Sequence, residues 1–187
     1  RGKIVDSRTR LLEILRDKSY QKKKVTLASG RESDFYIDCR QTALNAEGAC
    51  LIGRLMYGML KRGRRVEGVG GPTLGADPIV TAISIISFME GAPIPAFIVR
   101  KEPKGHGTGQ WIEGRKNMRE GADVAVVEDV VTTGGSMLKA VERVKAEGFN
   151  VIRVLALVDR EEGGREAVKE AGYDLEVLFT KRDIEGG

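Results

Sequence analysis

One stretch narrows the possible folds more than any other: Ala122-Asp-Val-Ala-Val-Val-Glu-Asp-Val-Val-Thr-Thr-Gly-Gly-Ser136. Its apolar run, residues 124–127, reads as a buried parallel strand. The run ends in Glu128 and Asp129, and a loop of small residues then feeds a helical pattern that begins near Ser136. In an open α/β sheet, ligands bind at the carboxyl ends of the strands. There a loop entering a helix offers an anion free backbone N–H groups and the positive end of the helix dipole. Gly134 and Gly135 admit close approach of the backbone, and the hydroxyls of Thr132, Thr133 and Ser136 add donors for phosphate oxygens. Glu128 and Asp129 can accept from the cis hydroxyls of a ribose, directly or through a hydrated metal. The stretch is therefore a candidate phosphosugar site.

Composition bounds the class. A chain of 187 residues suits one domain with a sizeable core, and 41% hydrophobic with 31% charged residues describes a globular rather than a disordered chain. No run approaches the length of a membrane span, so no membrane partner is expected and the cytoplasm is the default location. Cys39 and Cys50 are too few for a disulfide framework and are not in metal-ligand spacing with His106. A net charge of +4 fits either a nucleic-acid surface or a pocket for highly charged small molecules. The runs Lys22-Lys23-Lys24 and Arg62, Arg64, Arg65 read as solvated faces. Aromatics are 5% of the chain and are not interleaved with these runs, which disfavours base stacking and so a nucleic-acid partner.

Along the chain, Leu11, Leu12 and Leu15 place a first amphipathic helix at 6–18, capped by Asp6 or Ser7. Residues 25–40 read as two short strands around a turn at Ser29-Gly30-Arg31. A helix is expected over 46–61, ended by Gly63, then a strand from Val66 and a glycine-rich loop. That loop is neither a dinucleotide fingerprint, because Thr73 stands where a third glycine is needed, nor a Walker loop, because Ala76 and Asp77 follow Gly75. Pro78 suits the first position of the next helix, 77–89. The strand 95–99 runs into Arg100-Lys-Glu-Pro-Lys-Gly-His-Gly-Thr-Gly-Gln-Trp111, where Arg100, Lys101, Lys104 and His106 stand among three glycines. Taken alone this is an exposed basic hairpin; a mobile loop closing over a polyanion has the same composition. Trp111 reads as a packing residue at its base. A nearly unbroken apolar strand, 151–158, ends in Asp159-Arg160, and a short helix and a last strand over 174–180 complete the pattern.

Three motifs together resemble one family. Val126-Val-Glu-Asp-Val-Val-Thr-Thr-Gly-Gly-Ser136 looks like the phosphoribosyl-pyrophosphate (PRPP) motif of the type I phosphoribosyltransferases. Ser29, Gly30, Arg31, Ser33, Phe35, Tyr36, Ile37 and Asp38 resemble the N-terminal hood of the orotate phosphoribosyltransferases, and Arg100, Lys101, Lys104 and His106 resemble their catalytic loop. The resemblance covers most of the chain. It implies the α/β fold of that family: one domain over 1–187, a central, mostly parallel sheet flanked by helices, and a small hood formed mainly by about 1–40.

The implied activity is transfer of the 5-phosphoribosyl group from PRPP to orotate in pyrimidine biosynthesis, with Mg2+ carried mainly by PRPP rather than by assigned protein ligands. Arg100, Lys101, Lys104, His106, Glu128, Asp129, Val130, Val131, Thr132, Thr133, Gly134, Gly135 and Ser136 are then expected at PRPP, with Lys104 and Asp129 catalytic. Tyr36, Ile37, Thr132 and Arg160 are expected at orotate. In the family the loop reaches the active site of a twofold mate, which implies a homodimer. Two positions depart from the pattern: Ala28 replaces a common lysine, for which Lys24 is a candidate substitute, and Gly75 replaces a lysine of some orotate enzymes. Rival readings are a purine or uracil phosphoribosyltransferase, a PRPP-binding regulator, and a basic nucleic-acid-binding regulator on the same fold.

Overall fold

The computed structural model of the chain describes residues 6–26, 32–103 and 110–186, without the side chains of 24–26, 32 and 33. Helix α1 (Ser7–Ile14) is capped by Asp6, whose carboxylate accepts from Thr9 N, and one π-helical turn (Leu15–Ser19) extends it. Strands β1 (Tyr20–Thr26) and β2 (Glu32–Ile37) pair antiparallel, and β1 starts five residues before the expected position. Lys22, Lys23 and Lys24 thus belong to a strand; Lys22 and Lys23 are exposed, as a solvated face requires, and Lys23 Nζ stands 4.2 Å over the Tyr36 ring. A short α2 (Arg40–Ala43) and α3 (Ala46–Lys61) follow, α3 with the bounds its apolar spacing predicts.

Next come β3 (Gly68–Pro72), α4 (Asp77–Met89), β4 (Ala96–Val99), β5 (Ile112–Glu113), β6 (Asp123–Val131) and α5 (Gly135–Ala146). The chain then forms β7 (Asn150–Asp159), α6 (Gly164–Glu170), β8 (Leu175–Thr180) and α7 (Lys181–Glu185). The six-stranded sheet has the order β5-β4-β3-β6-β7-β8, all parallel except β5, which pairs antiparallel with β4. Period-two alternation sorts the central strands onto two faces. Ala125, Val127, Leu155 and Leu157 pack with α1, α3 and α4, while Val124, Val126, Val154 and Ala156 pack with α5 and α6. The layers are those expected of a doubly covered parallel sheet.

Two features escape a local reading of the chain. Arg153 is 8% exposed on β7. It donates to Leu60 O (2.9 Å) and Met59 O (3.1 Å), capping α3 from across the sheet, and its Nε donates to Glu176 Oε1 (2.8 Å). Helix α7 is started by a capping box in which Thr180 and Asp183 exchange hydrogen bonds.

Candidate active site

Strand β6 outlasts its expected end at Glu128-Asp129 because parallel pairing with β7 continues through Val130↔Val158 and Val131↔Asp159. Both acids therefore lie within the strand, and alternation sends them to opposite faces. Glu128 turns toward α5 and is 6% exposed. Burial pushes its carboxyl up to about 7, although a hydrogen bond from Ser136 favours the ionised form. Asp129 turns toward the loop after β3, and burial raises it too, opposed by the N–H groups of Val130 and Asp129 and by the charge of Arg40. At Gly75 a Cβ would lie 2.3 Å from Asp129 Oδ1, so only glycine lets this loop rest against the acid. Thr73 Oγ1 closes the loop by donating to Asp77 Oδ2 (2.7 Å).

The turn from β6 into α5 is built for an anion. Gly134 takes a left-handed conformation (φ 83°), which glycine adopts freely, and no side chain caps the helix. The first N–H groups of α5 carry the positive end of the dipole. Thr133, Gly135 and Ser136 are exposed there, Gly134 is buried, and a Cβ at Gly135 would meet nothing within 4 Å.

A cavity of about 430 Å³ opens at the carboxyl ends of β3 and β6. Its wall combines four residues expected at the base, Tyr36, Ile37, Thr132 and Arg160, with three expected at PRPP, Lys101, Asp129 and Val130. Thr73, Leu74 and Gly75 form another wall, and Asp38 and Arg40, to which the motifs assign no role, complete the lining. Glu128, Val131 and residues 133–136 are not on that wall; Val131 is buried in the core at 1% exposure. Arg100 is also off the wall, paired with Glu113 across the β4–β5 hairpin (2.8 Å). Ala28, Ser29, Gly30, Arg31, Lys104 and His106 lie outside the described residues, as does the side chain of Lys24.

Arg160, at the end of β7, is 6% exposed and joins the hood to the sheet: Nη2 donates to Phe35 O (3.0 Å) and Nε to Glu162 Oε1 (3.0 Å). Trp111 packs as its position predicts, under the Arg143 guanidinium at 4.1 Å. Among the described residues no group of three or more His, Cys, Asp or Glu side chains is placed to hold a metal ion. A Mg2+ at this site would therefore take most of its ligands from a bound substrate and water, with Asp129 as the carboxylate on the cavity wall. Among the described residues no helix is long and apolar enough to cross a membrane.

The Phosphoribosyl transferase domain family model matches residues 69–176. An orotate phosphoribosyltransferase of Sorangium cellulosum (strain So ce56) is 50% identical over 177 residues, which span 95% of this chain and 92% of that protein. One from Nostoc sp. (strain PCC 7120 / SAG 25.82 / UTEX 2576) is 47% identical over 95% of this chain and 85% of its own length. Among solved structures, Mycobacterium tuberculosis H37Rv orotate phosphoribosyltransferase in complex with PRPP superposes with a TM-score of 0.79 at 39% identity, over 96% of this chain and 99% of that one.

Proposed function

This chain belongs to the orotate phosphoribosyltransferase family, and we propose that it transfers the 5-phosphoribosyl group of PRPP to N1 of orotate. The products are orotidine 5′-phosphate and pyrophosphate, on the route to pyrimidine nucleotides. The observation that carries the reading is the single cavity in which Tyr36, Ile37, Thr132 and Arg160 face Asp129, beside the uncapped start of α5. A flat base fits the hood side, with Tyr36 and Ile37 as its wall and Arg160 as its cationic end. A 5-phosphate fits the N–H groups and hydroxyls of residues 132–136. Asp129 on the wall and Glu128 beneath α5 are the acceptors for ribose hydroxyls.

As the C1–O bond loosens, negative charge develops on the departing diphosphate and positive charge at C1. We assign the first to Arg100, Lys101, Lys104 and His106 and the second to Asp129, acting through preorganised electrostatics. Lys104 is the residue whose loss should harm the chemical step most. Mg2+, when it arrives on the diphosphate, supplies further neutralisation of the leaving group. Orotate is already acidic at its ring nitrogens, so the scheme needs no general base.

The working form we infer is a homodimer with the catalytic loop shared between subunits, Lys101 lining its own subunit's cavity while the segment that follows serves the partner's site, with the whole chain acting as one domain. Supporting it, Leu44 (74% exposed), Leu74 (62%) and Ile85 (55%) border a groove of about 780 Å³, which adjoins the cavity and shares Asp38, Arg40 and Leu74 with it. Contiguous exposed apolar surface of this kind marks an interface. Unpaired Cys39 and Cys50 agree with a reducing compartment, and we place the enzyme in the cytoplasm. The test is pyrophosphate release from PRPP: we expect it with orotate, and release with adenine, guanine or uracil but not orotate would overturn the assignment.

A further inference from the structure

Two family lysines are missing from this chain, at Ala28 and Gly75, and the cavity wall carries a cation that the motifs leave without a role. Arg40 opens α2. Its Nε donates to Asp38 Oδ1 (2.8 Å) and its Nη2 to Asp38 Oδ2 (3.1 Å), a two-pronged pair. Gln41 Nε2 (3.2 Å) and the Arg40 backbone N–H (3.2 Å) also donate to this carboxylate. The Asp38 side chain is 15% exposed and that of Arg40 48%, so an inner, well-satisfied acid holds the guanidinium at the cavity mouth. Nη1 has no hydrogen-bond partner among the described residues.

Position along the wall indicates what that free edge meets. Arg40 and Leu74 lie on both the cavity and the adjoining groove, which places Arg40 at the end formed by residues 73–75. Arg160 does not reach that rim; it is held at the hood end by Phe35 O. The 73–75 loop cannot bring a cation of its own at position 75, because a Cβ there would collide with Asp129. Resting on the phosphoribosyl-transfer reading, we propose that Arg40 binds the diphosphate of the donor substrate and that Asp38 is the positioning residue that presents it. A guanidinium already oriented by one carboxylate keeps a planar N–H edge for phosphate oxygens and loses little freedom on binding them.

The test compares unmodified protein with Arg40→Gln, Arg40→Lys, Asp38→Asn and the Arg40→Gln/Asp38→Asn double variant. Calorimetric titration with inorganic pyrophosphate and with PRPP gives Kd without requiring turnover, and steady-state rates add KM for PRPP and for orotate. Arg40→Gln should weaken pyrophosphate and PRPP about tenfold, the scale of one lost charged hydrogen bond, while KM for orotate stays within about twofold. Arg40→Lys should recover part of the loss. Asp38→Asn should weaken both phosphates less, and should add little once Arg40 is gone, which a merely structural role would not produce. Unchanged pyrophosphate and PRPP affinity, a rise confined to KM for orotate, or a loss that tracks a change of oligomeric state by light scattering would each overturn the proposal. If pyrophosphate and PRPP bind as expected but orotate is not turned over, the underlying reading fails while the role of Arg40 stands.

Discussion

Replacing Glu128 by glutamine should make the protein more stable at neutral and alkaline pH while impairing its activity. The carboxyl titrates at about 7 in the folded chain against an ordinary 4.5, and burial is the leading cause. The folded state therefore holds the proton more tightly than the unfolded state. Below about 4.5 both states are protonated and nothing is lost. Between 4.5 and 7 the unfolded chain ionises first, so stability falls as pH rises, by about 1.4 kcal/mol per pH unit. Above 7 the loss levels off at about 3 kcal/mol. Glutamine keeps the shape and an acceptor for Ser136 without the ionisation. Several other carboxyls, among them Asp38 and Glu67, are shifted the opposite way by arginine partners, so the whole-protein profile mixes signs. The difference between variant and parent isolates position 128. Urea unfolding at fixed protein concentration from pH 4.5 to 8.5 measures it. The variant's advantage should grow by about 3 kcal/mol across that range, with reduced PRPP affinity as the functional cost. Parallel profiles for the two proteins would refute the reasoning.

Three further outcomes follow from particular contacts. Arg153→Met should destabilise by about 3 kcal/mol in chemical unfolding, because it strips the α3 carbonyls and leaves Glu176 unpaired; adding Glu176→Leu should restore part of that loss, and no recovery would count against the charge argument. Gly75→Ala should lower PRPP turnover at least tenfold by displacing Asp129, with a change in melting temperature of only a few degrees; full activity would show that the loop has room the geometry denies. Lys104→Ala should lower kcat by about a hundredfold, whereas Lys169→Ala, at an exposed position near the end of α6, should leave it unchanged. Equal effects of the two would remove Lys104 from the chemistry.

How much of this was legible in the sequence depended on the range of the interactions. Helix α3 and the buried halves of β6 and β7 follow from local apolar spacing, and the structure keeps them where that spacing predicts. The end of β6 does not, because whether Glu128 and Asp129 stay in a strand is decided by β7 pairing beside them. Arg153 was invisible for the same reason: its partners Met59, Leu60 and Glu176 are brought to it only by the completed sheet. Helix α7 had a readable signal, Thr180 followed three residues later by Asp183, in a segment too short for periodicity to register. At the site, the adjacent pair Tyr36-Ile37 is far in the chain from Thr132 and from Arg160, and the family pattern already groups them. Arg40 carries no signal of its own in the sequence although Asp38, two residues earlier, belongs to the hood pattern; the salt bridge that holds Arg40 at the cavity is seen only in the fold.

The proposed site should recognise orotate on one side and PRPP on the other. The most direct measurement gives the purified protein PRPP, Mg2+ and an equimolar mixture of orotate, uracil, adenine and guanine, and identifies the nucleotide formed by mass spectrometry. The expected product is orotidine 5′-phosphate, formed in step with pyrophosphate. Formation of a purine nucleotide or of uridine 5′-phosphate with orotate left untouched would contradict it.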